Sequence, residues 1–274
     1  ANVTPVYDGS FSSSVVAPTY SGIATRMAFS RQTAYASNRF WVFFGRELIG
    51  GTSPEIHYTS SVDGVSWETS TKVCDGHDSA GAEFSIWVEG NDVFYVSAYG
   101  HTWGGYDPLY GYGHFQNDGI INWEVQNHVI NTTDTDNSDP SICRNSTGAV
   151  FCAWWDGNGN DADPVVVWST TEDGNFTESP EGLYYLNNEL PCEATVPCVV
   201  PLLNGDVYAY YSFTDSEESG NQNAWGRKWN ASAGIWDAEE TLTGVDISGS
   251  HYGNFGVTAV GNDVHVAYVD RTTA

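Results

Sequence analysis

The chain has 274 residues, with 9 Lys plus Arg against 35 Asp plus Glu and a formal net charge of −26. That length suits one large domain, and that field repels phosphate backbones and anionic lipid, which argues against nucleic acid and membrane surfaces as partners. No run of 18 apolar residues occurs, so no helical membrane span is expected.

Along the chain the first signal is a repeat. Asp8-Gly9, Asp63-Gly64, Asp118-Gly119 and Asp173-Gly174 follow one another at intervals of 55 residues, each trailed by an aromatic: Phe11, Trp67, Trp123 and Phe176. Ala233-Gly234 with Trp236 is a degenerate fifth copy. A fixed period of this length built on turn chemistry means an array of like supersecondary units.

Between these turns lie alternating apolar runs. Phe40 to Phe44, Val93 to Val96, Val150 to Trp154, Val207 to Tyr210 and Val264 to Ala267 each follow a tight polar turn such as Gly90-Asn91 or Asn204-Gly205. Alternation flanking such turns predicts β-hairpins. A shorter strand precedes each turn, as in Phe84 to Val88 and Phe255 to Val260. A third strand leads into each Asp-Gly pair, as in Ile56 to Ser60 and Val165 to Trp168, and a fourth follows. No helical period is present.

Each unit therefore reads as a four-stranded antiparallel meander, and radial packing of such sheets gives a β-propeller. Five blades are expected in one domain, at about 18–74, 80–130, 138–187, 193–243, and 252–274 joined by 1–16. The last blade would take two strands from each terminus, closing the ring and removing exposed strand edges. A fragment of a larger propeller is the competing reading.

The turn Ser61-Val62-Asp63-Gly64-Val65-Ser66-Trp67 resembles the Asp-box of sialidase-like propellers. In that family the box is structural, so these aspartates are assigned no chemistry. Sialidases also need an arginine triad. Arg26 sits at a suitable strand, but few other arginines are available, and a sialidase is not expected.

Chemistry belongs where the innermost strands begin. Aligning the five units places Thr25, Glu83, Asp139, Glu193 and Asn254 at that point. Three consecutive units would aim carboxylates at one axis. Converging carboxylates are neutralised by a cation, or one keeps its proton, or they hydrogen-bond the backbone at strand ends. Ser138-Asp139-Pro140-Ser141-Ile142 resembles the Asp-Pro-Ser segment of five-bladed arabinanase and β-xylosidase-type glycosidases. Glu193-Ala194-Thr195, followed by Gly205-Asp206-Val207-Tyr208, is similar to the segment carrying their general acid. The resemblance implies glycoside hydrolysis, with Glu193 as proton donor and Asp139 tuning it. Its general base should lie near Thr25, where no carboxylate stands, so Glu83 is the candidate base. The alternative is a non-catalytic carbohydrate-binding or structural protein of a cell or virion surface on the same scaffold.

Loops on this face offer aromatic and polar groups suited to a sugar: His101, Trp103, Tyr106, Trp155 and Tyr252. The segment Asp156-Gly157-Asn158-Gly159-Asn160-Asp161-Ala162-Asp163 resembles the start of a calcium loop, so Asp156, Asn158, Asn160, Asp161 and Asp163 are candidate Ca²⁺ ligands. It departs from an EF-hand, with Asp161 at the glycine position and Val167 at the twelfth. Cys143 and Cys152 lie on facing arms of one hairpin, and Cys192 and Cys198 are close in sequence; both pairs are expected disulfides. Cys74 is left over, either buried or bonded to a second chain. Asn2, Asn131, Asn145, Asn175 and Asn230 open glycosylation triplets. With the cysteines, and with Ala1 read as a processed N-terminus, they place the protein outside the cell. Only Lys72 and Lys228 are lysines, which suits a saline setting where salt screens the acidic surface.

Overall fold

A computed structural model describes residues 15–16, 30–46, 55–76, 83–100, 106–130, 136–158, 161–176, 184–186, 196–214, 222–242 and 255–268. Among them there is no helix. The first sheet holds β1 (Thr33–Ala36), β2 (Arg39–Arg46), β3 (Glu55–Ser61) and β4 (Thr71–Asp75) in sequential order. The second holds β5 (Phe84–Glu89), β6 (Asp92–Gly100), β7 (Tyr106–Phe115) and β8 (Ile121–Val129). The third holds β9 (Asp136–Arg144), β10 (Val150–Asn158), β11 (Asp161–Ser169) and β12 (Tyr184–Tyr185). The fourth holds β13 (Cys198–Pro201), β14 (Val207–Thr214), β15 (Gln222–Asn230) and β16 (Ile235–Trp236), with β17 (Glu240–Thr241) also pairing β15. In the fifth, β18 (Phe255–Val260) pairs β19 (Asp263–Tyr268). All pairings are antiparallel. This is the propeller architecture the repeat implies. The proposed closing strands in residues 1–16 fall almost wholly outside the described residues.

The alternating runs explain the packing. A strand points successive side chains to opposite faces, and here both faces are apolar. On β6, Val93 and Tyr95 join Trp41, Phe43 and Tyr58 of the first sheet, while Phe94 and Val96 join Val150, Trp154 and Val165 of the third. On β14, Val207, Ala209 and Tyr211 pack with Phe151 and Trp168 of the third sheet, while Tyr208 and Tyr210 pack with Phe255 of the fifth. Four apolar layers thus join five sheets in sequence order. Each large side chain removed from water contributes roughly 1.5–3 kcal/mol before entropy is counted.

The Asp-Gly pairs at 63, 118 and 173 sit between the third and fourth strands of their sheets, and Asp8-Gly9 is outside the described residues. Asp63 Oδ1 accepts the Ser66 N–H at 2.7 Å, the Val65 N–H at 2.8 Å and the Ser61 hydroxyl at 2.9 Å. Gly64 follows at φ 71°, a left-handed conformation that costs glycine least. Asp118 and Asp173 repeat this geometry with the N–H groups of Ile120 and Asn175. In the fifth copy Asn230 accepts the Ser232 and Ala233 N–H groups. The structural reading of these aspartates fits that geometry.

The expected disulfides are not formed. Cys74, Cys143, Cys152 and Cys198 are buried free thiols. Cys143 stands opposite Phe151 and Cys152 opposite Ile142. That one-residue offset sends the two sulfurs to opposite faces of the third sheet, into different apolar layers. Cys198 lies in the layer between the fourth and fifth sheets, and Cys192 is outside the described residues. Burial pushes the Cys74 and Cys198 thiols up to about 12, so they are not nucleophiles near neutrality.

Asn145 is likewise corrected as a glycosylation acceptor. It is 3 % exposed, and its Nδ2 donates to the Gly205 carbonyl at 2.7 Å. Its Oδ1 accepts the Thr147 and Ala149 N–H groups, so the side chain builds the turn between β9 and β10. Asn175 is exposed and Asn230 half-buried; Asn2 and Asn131 are outside the described residues.

Candidate active site at the inner strand starts

Two of the three predicted acids meet. Glu83 immediately precedes β5, and its carbonyl accepts the Ala98 N–H at 3.0 Å, which extends the β5–β6 ladder by one step. Asp139 lies near the start of β9 in the next sheet. Its backbone N–H donates to Glu83 Oε2 at 3.1 Å. Both residues are buried, at 4 % and 6 % exposure. A contact between side chain and backbone across 56 positions thus ties the inner starts of two neighbouring sheets.

The local sequence explains how Asp139 is aimed. Ser138 pairs Trp155 and Ser141 pairs Ala153, so Asp139 and Pro140 together oppose Trp154. This is a β-bulge, which re-aims a side chain and absorbs a proline that cannot donate to the ladder. Asp139 adopts φ 53°, a left-handed conformation that aspartate tolerates better than most residues. The Ser138 hydroxyl donates to Asp139 Oδ2 at 3.5 Å. Glu193, the predicted proton donor, and Thr25 are outside the described residues.

Beside this pair the third sheet carries a buried acid. Asp156 on β10 stands opposite Asn137 on β9 and Asp163 on β11. It is 5 % exposed; Oδ2 accepts the Tyr185 hydroxyl at 3.4 Å, and Oδ1 has no hydrogen-bond partner among the described residues. Burial, then the nearby Asp156 carboxylate, pushes the Tyr185 hydroxyl above its ordinary range. The segment expected as a calcium loop is a β-hairpin whose arms pair from Val150–Ser169 to Asn158–Asp161. Among the described residues no three acidic, histidine or cysteine side chains gather at a metal-sized point. The side chains of Asn158 and Asp161 are not described, and Asn160 lies outside the described residues.

Of the predicted sugar contacts, Trp155 is half-buried on β10 and points to the face opposite Trp154 and Asp156. Tyr106 opens β7 opposite Gly100, and its side chain is not described. His101, Trp103 and Tyr252 are outside the described residues.

Below the acids, the innermost segments of all five sheets line one cavity of about 450 Å³. Its lining includes Ser30 and Arg31 ahead of β1, Ser85 and Trp87 on β5, Ser141 on β9 and Thr258 on β18. The sequence reading pointed to Arg26 and passed over Arg31. The available signal was its place immediately ahead of the first unit's inner strand, in a chain with few cations.

An all-β chain of successive antiparallel sheets, whose inner strands line one cavity, defines a β-propeller. The sequence matches no family model and no curated protein. Solved structures do resemble it. An endo-arabinase from Bacteroides thetaiotaomicron aligns at TM-score 0.51 and 13 % identity, covering 91 % of each chain. An α-L-arabinanase of Penicillium chrysogenum, solved with arabinobiose, aligns at 0.53 and 12 %, covering 86 % of this chain and 73 % of that one. An α-L-arabinofuranosidase of Fusarium graminearum, also with arabinobiose, aligns at 0.52 and 10 %, covering 89 % and 77 %. At such identities the likeness is one of fold: this chain has the β-propeller fold found in those glycosidases.

Proposed function

We propose that the chain is a carbohydrate-directed propeller acting as a glycoside hydrolase at its axial carboxylates. The observation that carries this reading is the Asp139 N–H donated to the buried Glu83 carboxylate at the inner strand starts. That contact fixes two acids on neighbouring sheets in one small volume. In the proposed mechanism Glu193 gives its proton to the leaving oxygen. Asp139 positions and tunes that acid. Glu83 takes a proton from water attacking the other side of the sugar. The arabinose-directed neighbours make arabinan and arabino-oligosaccharides the first substrates to try.

A second reading is favoured by Glu83 itself. It is 4 % exposed and engaged by backbone, while Thr25 leaves the expected base position without a carboxylate. On that reading the same site holds sugar without cleaving it.

One experiment separates the two. The protein is incubated with arabinan, arabino-oligosaccharides and xylan, and reducing ends and bound sugar are both measured. Hydrolysis is expected, falling by about 10²- to 10⁴-fold in Glu193→Gln with the melting temperature kept. Saturable binding with no release selects the binding reading. Unchanged turnover in Glu193→Gln refutes the assigned acid.

A further inference from the structure

We propose that the axial cavity binds a small monoanion, a halide or a carboxylate, on the guanidinium of Arg31. The Arg31 carbonyl accepts the Ile86 N–H at 3.1 Å, anchoring this residue to the second sheet. Its guanidinium lies 4.6 Å above the Trp87 ring. A ring face orients a cation without neutralising it.

Of the lysines and arginines, Arg31, Arg46 and Arg227 have no ion pair among the described residues, and the last two donate to the hydroxyls of Ser70 and Tyr184. Arg39 pairs Glu68, Arg144 pairs Glu89 and Glu172, Lys72 pairs Glu55 and Asp75, and Lys228 pairs Asp237. Arg31 has no carboxylate within ion-pair distance among the described residues. The chain carries 35 acids, yet none belongs to the cavity lining described above. A lining that holds one cation and no acid among the described residues suits an anion from outside. The neighbouring groups suit it. The Ser30 hydroxyl is buried with no hydrogen-bond partner among the described residues, and Ser85 and Thr258 add hydroxyls to the wall. Arg31 is exposed to solvent along the cavity; the protein that partly covers it disfavours its charged form, and a bound anion offsets that cost. The cavity of about 450 Å³ exceeds the space of a lone ion and falls in the range of small-ligand sites.

The net charge of −26 opposes entry of any anion, so affinity is expected to be best where salt screens that field. This inference does not rest on the glycosidase reading, because its test reads binding and no turnover. Melting temperature is followed in sodium chloride, bromide, acetate and glucuronate at one fixed ionic strength, with fluoride as the strongly hydrated reference. A saturable rise on the order of 5 °C is expected at about 100-fold excess over Kd, lost in Arg31→Gln. Line broadening of ³⁵Cl in the unaltered protein, reversed by glucuronate, supplies a measure that needs no variant. Saturation by halide alone identifies the free ion as ligand; tighter saturation by glucuronate identifies the carboxylate of an acidic sugar. Equal shifts in every salt, equal shifts in Arg31→Gln, or an absence of both chloride broadening and a saturable glucuronate shift would overturn the proposal.

Discussion

The aspartates of the outer turns and those of the inner strand starts are the same residue set to opposite uses. Asp63 is exposed and surrounded by donors from its own turn, which hold its carboxyl well below the ordinary carboxylate range, the Ser66 N–H first among them. Asp173 is lowered in the same way, chiefly by the Thr171 hydroxyl. Each of these aspartates accepts its hydrogen bonds from within its own turn. Asp139 is buried, sits on a bulge, and is tied by its backbone to an acid from another sheet. Its neighbours come from far along the chain, so only assembly of the sheets creates its environment. Local turns fix the fold's period; the surroundings of Asp139 come from the assembled whole.

The largest effect expected from this contrast is on catalysis. Asp139→Asn should lower turnover on the order of 10²-fold and move the alkaline limb of the pH–rate profile, which reports the proton donor, while Asp63→Asn leaves both unchanged. Asparagine tolerates the left-handed φ of 53° at position 139, and the backbone N–H to Glu83 is retained, so folding should survive. Equal turnover in the two variants would erase the distinction drawn here.

A stability effect of intermediate size tests the packing between sheets. Gly111 stands opposite Tyr95, and a Cβ there would overlap the buried Tyr95 ring. Tyr95 packs into the layer between the first two sheets and donates to Asn127 Oδ1 at 3.0 Å. Gly111→Ala should therefore destabilise by about 1–3 kcal/mol in denaturant titration. Gly256, whose added Cβ would meet nothing within 4 Å and whose φ is not left-handed, is the control for space alone.

What the sequence made legible follows the same division. The Asp-Gly period and the alternating runs are local signals, and they gave the sheets, their strand order and the place of the turns. The meeting of Glu83 with Asp139 was readable because the repeat aligns inner strand starts. The cysteine pairing was misread because the Ser146-Thr147-Gly148 turn leaves register open by one residue, and one residue exchanges the faces. Asn145 was misread because its triplet is a surface motif by pattern, while its side chain serves as the hub of a buried turn. Arg31 went unseen because what distinguishes it, a place over the Trp87 ring with no acid beside it among the described residues, is a fact of space that spacing along the chain does not encode.

The smallest expected effect is the pH response of an outer turn. The folded Asp63 carboxyl titrates below its unfolded counterpart because the Ser66 and Val65 N–H groups and the Ser61 hydroxyl favour the ionised form. Its stabilising contribution is therefore complete above about pH 4 and is lost as pH falls through the folded value. Asp63→Asn removes the charge while keeping an acceptor. Denaturation midpoints of the two proteins should differ near neutrality and converge as the solution is acidified. A gap that widens on acidification would mean that the turn does not favour the carboxylate, and the contrast between the locally bonded Asp63 and the assembly-dependent Asp139 would fail at its simpler end.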